Sequence, residues 1–192
     1  MREKGQVWIE RAFSLKKKNL GKRKGQVWIE TVLYTLIGLA LMGAALGFIM
    51  PKINEARDRA LVEQAINSLS DLDARINEVI QTGTGNRRIS ELLLKKGELY
   101  FNASADEIIL TLSDLSKPYS EPNVTIDIGR IKVRSELGQK RSKVYLRAIY
   151  NSNITYAGKD EDKKVSAATI PYRFYIDNRG PLGGKIWVDI TE

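Results

Sequence analysis

The sequence contains neither cysteine nor histidine among its 192 residues. Disulfide bonds, thiol chemistry and the usual zinc sites built from cysteine and histidine are therefore excluded. A histidine general base and a catalytic triad that depends on histidine are excluded for the same reason. We expect a protein that is not an enzyme and that uses no cofactor and no metal ion. Its stability must come from packing, from sheet hydrogen bonds or from assembly with neighbours.

The net charge of +8 is concentrated at the N-terminus. Residues 1–25 contain nine basic and two acidic residues, whereas residues 26–192 contain 22 basic and 21 acidic ones. A nucleic-acid-binding domain carries its basic surface in its folded part, so we do not expect nucleic acid as a partner. Basic residues directly before an apolar run are typical of a segment that stays in the cytoplasm while the following chain lies outside.

The apolar run extends from Thr31 to Met50 and reads TVLYTLIGLALMGAALGFIM, twenty residues without a charge. Twenty helical residues span about 30 Å, the thickness of the hydrocarbon core of a bilayer. The run has no polar face, unlike a helix that covers a soluble core. It is also longer than the apolar region of a secretory signal peptide. The sequence therefore predicts an apolar helix over residues 26–50 that spans a membrane for at least part of its life.

Glycines interrupt the apolar run at three positions, Gly38, Gly43 and Gly47. Gly43 and Gly47 are four residues apart, a spacing that lets two helices approach closely, so we predict helix packing at these glycines. The alternative is that glycine is simply frequent in membrane helices. Pro51 ends the run, and we predict that it kinks a continuing helix rather than stopping it.

Residues 51–82 predict an amphipathic extension of the same helix. Apolar residues recur there at three- and four-residue spacing, which is the period of one helix face: Val62, Ile66, Leu69, Leu72, Ile76 and Val79. Gly83 and Gly85 are expected to end the helix. This half of the helix needs a partner for its apolar stripe, and the remainder of the chain is the candidate.

Residues 83–97 are expected to be a linker, and residues 98–192 a β-rich domain. Alternating apolar residues rich in Ile, Val, Tyr and Thr predict strands at Leu99–Ala103, Glu107–Leu112, Val124–Ile128, Ile131–Glu136, Lys143–Tyr150, Val165–Ile176 and Lys185–Ile190. The segment 177–181 is expected to be a turn. The predicted fold class is α+β, with a long N-terminal helix packed on a C-terminal antiparallel β-sheet or small sandwich. We assign the isolated carboxylates Asp127, Asp177 and Asp189 to solvated faces.

The junction between the basic leader and the apolar run has the sequence Gly25-Gln26-Val27-Trp28-Ile29-Glu30, preceded by Lys24. Here the sequence resembles archaeal type IV pilin precursors with a class III signal peptide. The resemblance rests on Lys24-Gly25-Gln26, on Glu30 and on the apolar run. It implies that a prepilin peptidase cuts between Gly25 and Gln26 and removes the leader 1–25. It also implies that the apolar helices of many subunits, copies of this chain or other pilins, bundle into the core of a surface filament used for adhesion.

The residue chemistry of the junction agrees with these expectations. Glycine allows an extended backbone to enter a protease groove, and cutting after Gly25 creates a new α-amine on Gln26. A carboxylate at the membrane costs about 2–3 kcal/mol or more, so such groups usually have a partner. We expect Glu30 to meet the α-amine of Gln26 in a neighbouring subunit and to set the axial register. The alternative is that Glu30 lies at the headgroup level and is hydrated.

The motif occurs twice, because Lys4-Gly5-Gln6-Val7-Trp8-Ile9-Glu10 repeats residues 24–30 without a change. The first copy is followed by RAFSLKKKNLGKRK, which cannot enter a membrane. We interpret it as a non-functional copy within a long leader. A recognition role for this copy and a misassigned start codon are the alternatives.

Three glycosylation sequons lie in the region expected to be outside the cell, beginning at Asn102, Asn123 and Asn153. Such tripeptides are common by chance. Their confinement to the β-rich half is consistent with a glycosylated surface protein. The alternative function is an uncleaved single-pass membrane protein that displays a β-rich binding domain, which needs neither Gly25 nor Glu30.

Overall fold

The computed structural model describes the backbone of residues 3–192 and the side chains of residues 27–192. It divides into two compact units, one that ends at Pro51 and one from Lys52 to Glu192. The described residues of the first unit belong to a helix, α1 (Glu3–Thr82), which also supplies residues 52–82 of the second unit. The helix ends one residue before Gly83, whose φ of +95° is disfavoured for residues with a side chain and is typical of a helix C-terminus.

Ten strands and a short 3₁₀ turn follow the helix. They are β1 (Arg87–Leu92), β2 (Glu98–Asn102), the 3₁₀ turn (Ala103–Ala105), β3 (Glu107–Leu115), β4 (Thr125–Ile128), β5 (Ile131–Leu137), β6 (Ser142–Ile149), β7 (Asn153–Tyr156), β8 (Lys163–Ser166), β9 (Tyr172–Leu182) and β10 (Lys185–Thr191). Four strands form one sheet in the order β1-β9-β10-β7, and six form a second in the order β4-β5-β6-β3-β2-β8. All pairings are antiparallel except that of β10 with β7.

The core lies between the amphipathic half of α1 and the two sheets. The predicted helical stripe is confirmed, since all six of its residues from Val62 to Val79 are buried. They join inward-facing residues of both sheets in a single cluster. Phe101 of β2 and Phe174 of β9 meet in that cluster edge to face, with ring centroids 5.3 Å apart. The predicted α+β class, a long helix packed on antiparallel sheets, is confirmed.

Several strand predictions differ from the structure. The predicted linker 83–97 contains β1, and β7 was not predicted. The strand expected over 165–176 is two strands that belong to different sheets. The expected turn at 177–181 is instead part of β9, where Asn178 is buried and donates its amide to the carbonyl of Val79 at 2.9 Å. That bond explains the polar residue at this position, because it fastens the sheet to the last turns of α1.

Gly97 provides a stability test of the sheet packing. Its φ is +95°, and a Cβ added there would collide with the carbonyl oxygen of Thr111 on β3. Replacement by alanine should therefore destabilise the protein by about 3 kcal/mol, from the strained backbone together with overpacking. Denaturant unfolding in detergent, followed by circular dichroism, measures the loss. The control is Gly129→Ala, which has a φ of +61° but open space around the new methyl group, and which should cost about 1 kcal/mol.

Candidate functional site in the apolar half of the helix

The apolar segment of α1 is fully exposed. Every residue from Val27 to Met50 is exposed, and large side chains such as Trp28, Tyr34 and Phe48 are 70% or more accessible. Folded proteins in water rarely leave an apolar surface of this extent uncovered. Within residues 27–192, α1 is the helix long and apolar enough to cross a membrane. By length and composition this segment could span a membrane.

The few hydroxyl groups at the start of the segment are satisfied by the helix itself. Thr31 donates to the carbonyl of Val27 at 2.9 Å, and Thr35 donates to the carbonyl of Thr31 at 2.8 Å. Such bonds to the preceding turn let threonine enter an apolar environment without an unpaired donor. These threonines therefore do not prevent the helix from packing in lipid or against another helix.

The three glycines lie on open helix surface, since a Cβ added at any of them would meet nothing within 4 Å. Gly43 and Gly47 share one face of the helix. Gly38 points roughly 140° away from Gly43, given about 100° of rotation per residue. Small residues thus flatten the helix on more than one side. Packing of other helices there stays a prediction.

Glu30 is exposed directly before the uncharged run. Its proposed partner in another subunit, the α-amine of Gln26, and the cleavage position at Gly25 and Gln26 lie outside the residues whose side chains are described. The same holds for the first copy of the motif at residues 4–10. At the other end of the run, α1 continues through Pro51 without a break in its helical assignment. The predicted continuation of the helix is therefore observed, and the kink stays a prediction.

A loop of the second unit fastens onto α1 shortly after the apolar segment, which the sequence did not reveal. The carboxylate of Asp58 accepts hydrogen bonds from the amide and the hydroxyl of Ser116, both at 2.6 Å. Beside it, Lys117 Nζ lies 2.8 Å from Glu55 Oε2. These contacts join residues about 60 positions apart in sequence, so no local pattern could have predicted them. They hold the β3–β4 loop against the helix.

The three sequons have different surroundings. The side chain of Asn102 is engaged at both ends, because its oxygen accepts from Ala105 N and its amide donates to Glu107. In the sequon of Asn153, the hydroxyl of Thr155 is buried and donates to Asp189. Asn123, Val124 and Thr125 are all exposed, and Asn123 lies in a turn before β4. The geometry therefore separates Asn123 from the other two positions.

The assignment of Asp177 and Asp189 to solvated faces was wrong, whereas Asp127 is exposed as expected. Asp189 is only 2% exposed. One of its oxygens accepts from Thr155 and Gly158 N, and the other lies 3.1 Å from Arg179. Asp177 binds Arg87, with 2.7 Å between Nη2 and Oδ2. Both carboxylates thus form hydrogen bonds and ion pairs within the domain, on the outer side of the four-stranded sheet.

Asp177 gives a prediction for the dependence of stability on pH. The hydrogen bond from Arg87 holds the pKa of this carboxyl below its ordinary value of 3.8, against the opposing effect of burial. Its ionised form therefore stabilises the fold above the unfolded pKa, and this stabilisation is lost as pH falls through the lower, folded pKa. Asp177→Asn should have a lower free energy of unfolding at pH 7 than the wild-type protein. Below about pH 4, the slope of its unfolding free energy against pH should be smaller, by the equivalent of at most one bound proton. Equal slopes for both proteins would contradict this role.

No group of three or more acidic residues in the described range 27–192 is arranged to hold a metal ion. Comparisons with protein-family models, with curated proteins and with solved structures each gave no match. The functional argument for this chain therefore depends on its own sequence and geometry.

Proposed function

We propose that the chain is a structural subunit, major or minor, of a type IV pilus-like surface filament that serves in adhesion. The structural observation that supports this proposal is the contrast between the two halves of α1. Residues 62–79 bury their apolar stripe in the domain of the same chain, whereas residues 27–50 are exposed on all sides. A domain that already has its core does not need the apolar half for its own folding. Copies of the same helix are a natural cover for it.

The proposed mechanism has two stages. The apolar helix first lies in the bilayer, with the basic leader in the cytoplasm and the β-rich domain outside. A prepilin peptidase then cuts between Gly25 and Gln26, and the helix leaves the lipid for a bundle of similar helices. Because lipid is as apolar as the helix, close packing must compensate for the lost lipid contacts, and the surfaces at Gly38, Gly43 and Gly47 permit it. In the bundle, Glu30 pairs with the α-amine of Gln26 of a neighbour and fixes the register.

The resemblance at Lys24-Gly25-Gln26 and Glu30 supports the filament over the second candidate, an uncleaved membrane anchor that displays the β-rich domain. The exposed apolar helix is equally compatible with that anchor, so the N-terminus of the mature protein decides between them. N-terminal sequencing, by mass spectrometry, of the protein released from the cell surface should begin at Gln26. A surface form that retains Met1 would support the anchor and overturn the filament proposal.

A further inference from the structure

A polar cleft lies on the face of the six-stranded sheet that points away from the core. Its volume is about 220 Å³, and six side chains from three adjacent strands line it: Thr125 of β4, Lys132, Arg134 and Glu136 of β5, and Tyr145 and Arg147 of β6. A second cleft of about 260 Å³ continues across β3 and β2 and shares Tyr145 and Arg147. Each is smaller than the roughly 300–1,000 Å³ of a site for a drug-sized ligand. Each therefore suits a single ring-sized unit, and together they suit two linked units.

The charges around the cleft balance one another. Lys132 lies 3.3 Å from Asp127, Arg147 lies 3.2 Å from Glu107, and Arg134 lies 3.8 Å from Glu136. A surface that binds nucleic acid needs basic residues that are free to neutralise phosphates, whereas each of the three basic side chains that line this cleft has an acidic partner. Paired charges offer hydrogen-bond donors and acceptors side by side, which match the hydroxyl groups of a saccharide.

Tyr145 supplies the apolar element that a saccharide site needs. Its ring is partly exposed and lies among the paired charges. Burial and the neighbouring Glu136 raise the pKa of its hydroxyl, which therefore stays protonated at physiological pH. An aromatic ring presents a flat apolar surface with one polar end. The C–H face of a sugar ring can pack on such a surface while its hydroxyls reach the charged groups around it.

Asn123 lies beside the strands that form this cleft. Its backbone amide donates to the carbonyl of Ser135, the residue before Glu136, at 2.7 Å. Thr125, the hydroxyl residue of the same sequon, is one of the cleft-lining side chains. Asn123 has a φ of +64° in an exposed turn, and none of the three sequon residues is buried. The attachment point is thus a residue whose backbone is bonded to β5, one position from the cleft-lining Glu136.

We propose that Asn123 carries a glycan whose inner sugars fold back into the cleft and pack on Tyr145. Attachment forms a bond from Asn123 Nδ2 to the anomeric carbon of a phosphate-activated saccharide. The bond from that carbon to the phosphate oxygen breaks, and the phosphate leaves with the amide proton. β4 is an edge strand of the six-stranded sheet, so the glycan also shields that edge from pairing with another chain. This inference rests on the outward-facing domain of the proposed function, but not on filament assembly.

Mass spectrometry of the protein isolated from its own cells tests the attachment. Peptides that span the three sequons should show a saccharide mass on Asn123, and unmodified peptides at Asn102 and Asn153. An unmodified Asn123 would overturn the proposal. The N-terminus read from the same material reports separately on processing at Gln26, so a failure here is distinct from a failure of the filament proposal.

A double-mutant cycle tests the packing of the glycan on Tyr145. The unfolding temperature is measured in detergent for four full-length proteins: the wild type, Asn123→Gln, Tyr145→Ala and the double variant. Because the left-handed backbone at position 123 disfavours glutamine in both backgrounds, the informative quantity is the difference: the unfolding temperature should fall by about 3 °C more when Tyr145 is present than in Tyr145→Ala. Equal shifts in both backgrounds would overturn the packing.

Two controls make the cycle specific. Tyr145→Phe keeps the ring and should preserve the full shift on removal of the glycan. Tyr175→Ala removes a partly exposed tyrosine from the outer face of the other sheet and should preserve it as well. Amide hydrogen exchange gives a second measurement, in which Asn123→Gln should lose protection in β5 and β6. Unchanged hydrogen exchange in these strands would contradict the saccharide assignment. So would binding of the unglycosylated protein to single-stranded DNA, if Tyr145→Ala abolished that binding.

Discussion

Replacing Gly25 by valine should leave the basic leader on the chain and abolish surface filaments. A β-branched side chain at the residue before the cut resists the extended, closely held backbone that a protease groove requires. The uncleaved chain keeps the +7 charge of residues 1–25 and never forms the α-amine of Gln26. We expect the whole population to stay in the membrane fraction at the mass of the precursor. Immunoblots of membrane and sheared surface fractions measure this.

The sequence supplies a matched control for the Gly25 substitution. Gly5 occupies the same place in the first copy of the motif, within seven identical residues. If that copy is non-functional, Gly5→Val should be processed and assembled like the wild-type protein. Normal processing of Gly25→Val would refute the cleavage assignment. A block at Gly5→Val would instead give the first copy a role in recognition.

Replacing Glu30 by alanine should separate processing from assembly. The carboxylate lies outside the proposed scissile bond, so the mature N-terminus should still be Gln26. Without the carboxylate, the chain loses a group that disfavours the lipid by about 2–3 kcal/mol, and the α-amine of the neighbouring Gln26 loses its partner. Both effects favour the membrane-bound form over the filament. We expect the assembled fraction to fall by at least about tenfold, while the processed pool in the membrane rises.

Glu10 is the corresponding control for Glu30, because it has the same neighbours in the first copy of the motif. Glu10→Ala alters only the leader, so filament yield should be unchanged. Electron microscopy of surface preparations, with immunoblots of the processed pool, measures both variants. Filaments of normal abundance from Glu30→Ala would refute the register role and leave the hydrated carboxylate as the better interpretation.

The helical part of the fold was predictable from the sequence because its signals are local. The stripe from Val62 to Val79 repeats at helical spacing, and all its members are buried as expected. The six-stranded sheet is built mainly from neighbouring hairpins, so the alternation of apolar residues gave most of its strands close to their observed bounds. Pairings between segments that are distant in the sequence were harder to predict. β1 is an edge strand with the sequence RRISEL, and its partner β9 lies about 80 residues away.

The errors in and next to the four-stranded sheet have related causes. One strand was predicted over 165–176 because its composition is typical of a strand. Pro171 argues against this, because it lacks a backbone donor, and it lies between β8 and β9. β7 has only four residues and pairs in parallel with β10, more than 30 residues away. Asp177 and Asp189 are buried because Arg87 and Arg179 neutralise them in the folded sheet. Local sequence patterns reveal neither Arg87, 90 positions from Asp177, nor the hairpin pairing that brings Arg179 to Asp189, 10 positions away.

The apolar candidate segment was fully defined by sequence, because its length and lack of charge need no tertiary information. The loop that fastens to Asp58 and the cleft around Tyr145 were not, since each combines side chains brought together by the sheet. Asn123 was identified only as one of three sequons. Its distinct position depends on the hydrogen bonds of Asn102 and on the burial of Thr155, which only the folded domain provides.

The contact between α1 and the sheets also has a mechanical consequence. The buried stripe runs from Val62 to Val79, about 25 Å along the helix axis at 1.5 Å per residue. A pull applied to the N-terminal end of residues 52–82 would act parallel to this interface. The buried side chains, the bond from Asn178 to the carbonyl of Val79 and the ion pair of Asp73 with Arg130 would bear the load together. When an interface is sheared, its contacts must break together rather than one after another, so the domain should resist unfolding when it is pulled along the helix axis.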